Sequence, residues 1–355
     1  MVIKAFIYHK RAEKYSDCQD CFGINDQNNR IAVSDGMSQS IFPQWWAKIL
    51  VDDYLENGHI PQDILPLQEK WQQMLLAEIR KRDEEAKTNP KRDPWRLKNS
   101  LAEKSGAGAT ICGLTLGDKA WSCECLGDSC VITINHDYTL TIYTSQMGEF
   151  GNHPDYFDSF GIGRGEPISK TINRDVKAIL VVTDPFAELF QIHKNNFDFI
   201  KGRFEELQNL TTHESFIELV ERWRDKFDMH NDDSTLVLVE DLANPAFNVK
   251  HRDNLDYLCS KIENTSVTPG ALQSNTIGSE NFNLQPVRES QGKTIEDAIT
   301  QFTKAGEFLL SFCPEKKRVN IKSAENWIIK YLIETIKKII ISFRSVGHFF
   351  PVLRA

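Results

Sequence analysis

Acidic residues recur at the edges of short apolar runs in this chain: Gln19-Asp20, Ser34-Asp35-Gly36-Met37, Thr183-Asp184-Pro185 and Asn231-Asp232-Asp233-Ser234-Thr235. A lone carboxylate is a solvated surface group, but a sheet can gather strand ends, and gathered carboxylates bind hard divalent cations. Asp35 leaves the run Ile31-Ala-Val-Ser34, Asp184 leaves the run 178–183, and Asp232 stands just before Thr235-Leu-Val-Leu-Val239. Between antiparallel neighbours the end of one strand lies beside the start of the next, so one sheet edge can collect all three acids. Their mutual repulsion is costly unless a cation neutralises it. Oxygen-only ligands favour Mg²⁺ or Mn²⁺ over zinc. Two such ions, about 3.5–4 Å apart, would acidify a bridging water and clamp a phosphoryl group for in-line attack. Gly36 leaves its carbonyl accessible as a further oxygen ligand. Any single Asp is equally well explained as a turn residue; the ordered set is not.

The elements that must position these acids are legible in outline. Helical spacing of Trp45, Ile49, Leu50 and Tyr54 predicts a helix over 44–55, and a second follows over 62–85. Residues 86–99 are polar and basic, with Asn89-Pro90 and Asp93-Pro94 as breakers. Runs at 111–116, 120–126, 131–134 and 139–143, separated by Gly117-Asp118, Gly127-Asp128 and Asn135-His136-Asp137, read as an antiparallel meander. A strand at 178–183, a helical pattern over 186–226 and a last clear strand at 235–239 complete the reading. Strands come in runs rather than alternating with helices, which makes the class α+β with antiparallel sheets. Residues 264–293 are rich in Asn, Ser, Thr, Gly, Gln and Pro and read as flexible. The expected organisation is a globular domain over 1–242, a linker over 243–293 and a C-terminal helical appendage over 294–355, with helices at 295–312 and 323–345.

With 355 residues, 41% hydrophobic and 26% charged, the composition is that of a soluble protein, and a net charge of −8 argues against nucleic-acid binding. The first residues carry no long apolar stretch and no small-residue cleavage site, and no apolar run reaches about 18 residues, so a cytoplasmic protein with reduced thiols is expected. Cys18-x-x-Cys21 and Cys123-x-Cys125 are better read as buried thiols than as a zinc or redox site. His9, His193 and His230 read as ordinary surface or core histidines. The apolar, basic-interrupted segment from Trp327 to Phe343 could lie on an anionic membrane or dock a partner, though packing on a globular core is the commoner fate of such a face.

The order of the short motifs resembles the metal-dependent Ser/Thr protein phosphatases of type 2C, in their bacterial branch. The matching stretches are Gln19-Asp20-Cys-Phe-Gly-Ile24, Ala32-Val-Ser-Asp-Gly-Met37, Gly108-Ala-Thr110, Leu126-Gly-Asp-Ser129, Leu180-Val-Val-Thr-Asp184 and Asp232-Asp-Ser-Thr-Leu-Val237. They cover residues 1–240 and are individually short but jointly specific. The resemblance implies a four-layer α-β-β-α sandwich of two antiparallel sheets flanked by helices. It implies that Asp35 bridges two metals with the Gly36 carbonyl on one, that Asp184 and Asp232 complete the other site, that Gln19 and Asp20 hold metal-bound waters, and that Asp128 and Glu188 bind a third, weaker ion. Asp35, Asp184 and Asp232 would then act in catalysis through water on Mg²⁺ or Mn²⁺. The substrate would be a phosphoserine or phosphothreonine protein, paired with a cognate Ser/Thr kinase. His153-Pro154 would lie in the family's flap.

The chain departs from the family at three places. Pro185 follows Asp184 where Gly is usual, removing an amide and fixing φ. Tyr15 stands where many relatives carry a phosphate-binding Arg, and a phenol gives one neutral hydrogen bond in place of a bidentate fork; Arg11 or Lys14 is the expected substitute. Ser38-Gln39-Ser40 replaces glycines after Asp35-Gly36-Met37. Tyr15 and Pro185 are the features that favour the alternative, a catalytically weak phosphoprotein-binding or regulatory module.

Overall fold

A strand that is apolar at every position can be satisfied only between two layers, and this chain has several. The computed structural model describes residues 1–118, 120–146 and 154–265. In chain order the elements are β1 (Val2–Tyr8), β2 (Cys21–Asn25), β3 (Arg30–Ser34), α1 (Pro43–Asn57), α2 (Leu65–Thr88), α3 (Trp95–Glu103), β4 (Gly108–Ala109), β5 (Ile111–Leu116), β6 (Trp121–Leu126), β7 (Cys130–Ile134) and β8 (Leu140–Tyr143). Then come β9 (Phe157–Asp158), β10 (Ile168–Ile172), β11 (Ala178–Val182), α4 (Asp184–Ile192), α5 (Phe197–Gln208), α6 (His213–Phe227), β12 (Ser234–Glu240), β13 (Asn248–Arg252) and α7 (Leu255–Thr265).

Two sheets carry the fold, one in the order β13-β1-β12-β11-β7-β8 and one in the order β10-β6-β5-β3-β2. Side-chain alternation along β11 shows how they stack: Ile179 and Val181 join the layer between the sheets, while Ala178, Leu180 and Val182 join the layer under α4, α5 and α6. Val237 and Val239 of β12 likewise face the inter-sheet layer, and Leu236 and Leu238 face the helices. On the far side, Ala32 and Ile111 of the second sheet pack with Trp46, Leu50, Tyr54 and Trp71 of α1 and α2. This is the expected four-layer α-β-β-α sandwich, its pairing antiparallel except for β13, which runs parallel to β1.

The strand ends at one pole of the sandwich are the functional fact of the topology. Within the first sheet, Tyr8 of β1 and Val182 of β11 are strand ends, and they pair with the strand starts Ser234 of β12 and Cys130 of β7. In the second sheet, Ser34 at the end of β3 pairs with Cys21 at the start of β2, and Ile111 of β5 pairs with Leu126 of β6. All the acidic motifs are thereby delivered to one pole.

Several expectations are corrected. The stretch β5 to β8 is not one meander: β5 and β6 belong to the second sheet, β7 and β8 to the first. Gly127 makes the crossing possible. Its φ of +98° suits glycine, and a Cβ there would lie 2.5 Å from the Asp155 carbonyl oxygen and 2.6 Å from the Thr110 methyl. The helical pattern of 186–226 is three helices, because Asn196 and Thr212 turn their side chains to the amides of Phe199 and Ser215 and restart the chain. Residues 95–103, within and beyond the segment read as breakers, form α3.

Within the segment read as a linker, β13 pairs with β1 and α7 follows it. Asp253 fixes that extension: its carboxylate accepts from the Ile7 amide at 2.9 Å and meets His213 at 2.7 Å and His251 at 2.9 Å. A strand reading Asn-Val-Lys-His-Arg, half exposed along its length, offers no hydrophobic run to reveal it. The expected helices at 295–312 and 323–345, and His153, lie outside the described residues.

Replacing Gly127 by Ala should destabilise the protein by about 1–3 kcal/mol through the strained φ alone, more where the Asp155 carbonyl cannot yield. Urea unfolding of the two proteins measures it, and equal midpoints would contradict the role given to this crossing.

Candidate metal centre

Each acid at this pole is fixed by its own local chemistry. Asp35 leaves β3 with its amide donating to Thr110 Oγ1 at 3.1 Å and its carbonyl accepting from the Thr110 amide at 2.9 Å. The Gly108-Ala-Thr110 run is thus the backbone clamp on Asp35, and Thr110 is held in turn by Ser129 Oγ at 2.6 Å. Gly36 is packed so tightly that an added Cβ would lie 2.8 Å from the Gln19 carbonyl oxygen and from Pro43.

Asp184 opens α4, and Pro185 stands in the first helical turn, where an amide has no intrahelical partner to lose. The helix N-terminus thus accommodates the proline. Glu188, one turn further along the same helix, adds its negative charge to that on Asp184.

Asp20, 1% exposed, ties the two sheets together. Its Oδ2 accepts from Thr183 Oγ1 at 3.0 Å and from Thr235 Oγ1 at 2.7 Å, whereas its Oδ1 has no hydrogen-bond partner. Asp128, 4% exposed, also keeps a buried Oδ1 without a partner. Asp233 braces the backbone instead, its two oxygens accepting from the amides of Lys10 and Gln19 at 2.9 and 2.7 Å. Asp232 is set by Arg224, whose buried guanidinium donates to the Asp232 carbonyl at 2.6 Å and to Ser234 Oγ at 3.2 Å.

The electrostatics follow. Burial, then Asp233, pushes Asp20 well above the usual carboxylate range, against the two threonine hydroxyls. Burial, then Asp20, Asp184, Asp128 and Asp232, does the same to Asp35. Burial, then Asp128, Asp232, Asp20 and Glu188, does so to Asp184. Asp128 is pushed up to about 6, chiefly by burial. Four carboxylates raised by burial and by neighbouring acids, two of them with orphaned buried oxygens, make a donor set that fits a divalent cation.

Two residues that sequence reasoning did not assign to the site stand in it. Ligand atoms of Asp184, His230 and Asp232 all lie within 4.8 Å of one another. His230 is the neighbour-but-one of Asp232 in the loop after α6, the only sequence signal that could have nominated it. Lys10, just past β1, directs its Nζ to Asp232 Oδ1 at 3.3 Å, Ser38 Oγ at 3.2 Å and Glu13 Oε1 at 3.6 Å. Against the cost of its own burial, Asp232, Asp233 and Glu13 raise the Lys10 pKa.

The expected phosphate clamps are placed differently. Tyr15 is 6% exposed and its hydroxyl meets His213 Nε2 at 2.6 Å. Arg11 is engaged by Glu221 and Asp225, both at 2.6 Å. Lys14 is exposed. Lys10 is the basic side chain held against the acids. The thiols behave as expected of buried ones: Cys112, Cys125 and Cys130 are wholly enclosed; burial raises the pKa of Cys112 and Cys130, and the contact to Cys123, then burial, raises that of Cys125.

No family model matches the sequence, and no curated protein matches it. Among solved structures, a bacterial serine phosphatase is 16% identical with a TM-score of 0.41, over 67% of this chain and 96% of that one. The serine/threonine phosphatase Stp1 of Staphylococcus aureus is 16% identical with a TM-score of 0.40, over 67% and 94%. The Mycobacterium tuberculosis serine/threonine phosphatase PstP/Ppp is 15% identical with a TM-score of 0.39, over 67% and 97%. Similarity this weak leaves the functional reading to the site itself.

Because these carboxylates hold protons more tightly in the folded than in the unfolded chain, the chelated protein should lose stability as pH rises from about 4 through about 6, the span set by Asp128, and further for the deeper acids. Thermal unfolding in chelator across that range should show the decline, and a saturating divalent cation should flatten it. A chelated protein whose stability rises with pH in this window would contradict the assignment.

Proposed function

We propose that the chain is a divalent-cation-dependent phosphatase acting on phosphoserine or phosphothreonine in proteins. The observation that carries the reading is the convergence of Asp20, Asp35, Asp128, Asp184 and Asp232 with too little positive charge to balance them, at a pole open enough that the Asp184 and Asp232 side chains are 21% and 33% exposed. The order of the motifs supports the narrower assignment to protein phosphoesters.

Asp35, Asp184 and Asp232, with the Gly36 carbonyl, would hold Mg²⁺ or Mn²⁺, and Asp128 with Glu188 would hold a third, weaker ion. Bound there, such ions supply charge neutralisation for a phosphate and a more acidic water. The chain's own contribution is positional. Thr110 fixes the Asp35 backbone, Arg224 fixes that of Asp232, and Asp20 keeps the two sheets in register. Lys10 offers the ammonium that a phosphate dianion would meet at the mouth, in the role for which Arg11, Lys14 and Tyr15 are the sequence candidates. Ser38, already its partner, lies within reach of the same anion. A phosphoprotein substrate implies an opposing Ser/Thr kinase, and the enclosed free thiols suit a reducing cytoplasm. Among the described residues no helix is long and apolar enough to cross a membrane.

One observation favours a catalytically weak phosphoprotein-binding module instead: the Tyr15 hydroxyl is already bonded to His213, leaving one flexible ammonium where a guanidinium fork would bind more rigidly.

Hydrolysis of p-nitrophenyl phosphate with Mn²⁺ separates the readings. The enzyme should turn over and Asp35→Asn should abolish it, while metal binding without turnover on any phosphopeptide would favour the module. Lys10→Met should raise KM about tenfold or more with a smaller change in kcat, since a charge-assisted contact to phosphate is worth about 1.5–3 kcal/mol. An unchanged KM would remove Lys10 from the phosphate site.

A further inference from the structure

His230 is a surface histidine, 53% exposed, that turns toward the acids. Asp228, at φ +53°, ends α6 in a left-handed turn. Met229 is then buried at 4% exposure, and the Asn231 side chain accepts from the Arg11 amide at 2.9 Å. Arg224 holds the carbonyl of Asp232. The loop is therefore anchored on both sides of His230, which directs its Nδ1 to within 3.9 Å of Asp184 Oδ2.

Donors that share one ion at about 2.0–2.2 Å lie roughly 3–4 Å apart; His230 and Asp184 stand 3.9 Å apart, and the ligand atoms of the whole triad lie within 4.8 Å of one another. Independent of that triad, the buried Asp128 presents an oxygen without a partner, and its charge is the neighbour that most raises Asp184. An unpaired, enclosed carboxylate beside the triad is what a bound cation would satisfy.

We propose that His230 is a ligand to the ion held by Asp184 and Asp232, and that this end of the site is a mixed nitrogen–oxygen site selecting a first-row transition dication over Mg²⁺. The proposal rests on the metal-centre reading above and changes its chemistry. Mg²⁺ is hard, takes oxygen donors and gives up water reluctantly, whereas imidazole binds the borderline transition ions well.

The test uses the full chain loaded with Mn²⁺ alone. Electron spin-echo modulation should show a directly coordinated ¹⁴N that disappears in His230→Ala and in His230→Asn. Calorimetric titration should show Mn²⁺ affinity falling about tenfold or more in both variants, with Mg²⁺ affinity within about twofold. His230→Asn keeps a polar side chain in the loop, and circular dichroism checks that both variants fold. No nitrogen modulation in the wild type, modulation that survives substitution, or equal losses for both ions would overturn the proposal. Turnover of p-nitrophenyl phosphate is read separately. Nitrogen coordination without turnover leaves the ligand and removes the phosphatase reading, and turnover without nitrogen does the reverse.

Discussion

A buried carboxylate that is only half satisfied joins the two sheets at the pole where the site lies. Asp20 precedes β2 of the five-stranded sheet, yet the hydroxyls it accepts from belong to Thr183 and Thr235, at adjacent strand ends of the six-stranded sheet. Those two bonds offset part of the cost of enclosing a charge. The other oxygen has nothing. The contact that keeps the sandwich in register therefore leaves negative charge uncompensated in a region of low dielectric, where Asp35, Asp128 and Asp184 add to it.

The surrounding scaffold is a set of devices for tolerating that charge. Asp233 commits both oxygens to backbone amides of Lys10 and Gln19, turning a nearby acid into a brace. Arg224, nearly enclosed, directs its guanidinium to the carbonyl of Asp232, to Ser234 and to Glu221 rather than to the Asp232 carboxylate, so the loop is fixed without engaging that carboxylate. Gly127 takes the chain from one sheet to the other with no room for a side chain, which sets Asp128 at the seam. Rigidity here comes from contacts to backbone, leaving the other carboxylates for a ligand.

Two basic groups meet the acids from the rim, while the enclosed Arg224 is turned to the Asp232 carbonyl and to Glu221. Lys10 pairs with Asp232 from outside, and His230 approaches Asp184 from the exposed loop after α6. This arrangement, acids within and nitrogen at the edge, is the opposite of a structural ion-pair network, in which cation and anion are enclosed together. It gives a cation a place to bind and an anion a reason to approach.

The sequence alone determined the class of fold, the strands that are apolar throughout, and the identity and order of the acids, because hydrophobic runs and Asp at their ends are local properties of the chain. It also identified the residues where the pattern departs from the family it resembles, Tyr15 and Pro185. What the departures mean was decided by tertiary contacts: Pro185 falls in a helical turn that lacks nothing by having it, and the Tyr15 hydroxyl is taken by a histidine nearly two hundred residues away. Lys10 and His230 could not be assigned from the sequence. Lys10 reaches the site only because β1 pairs with β12 through Tyr8 and Ser234, and His230 only because the loop after α6 returns beside the start of α4. The crossing at Gly127 looked like a hairpin for the same reason: a glycine turn is visible in one dimension, but which sheet receives the next strand depends on which buried faces remain to be covered.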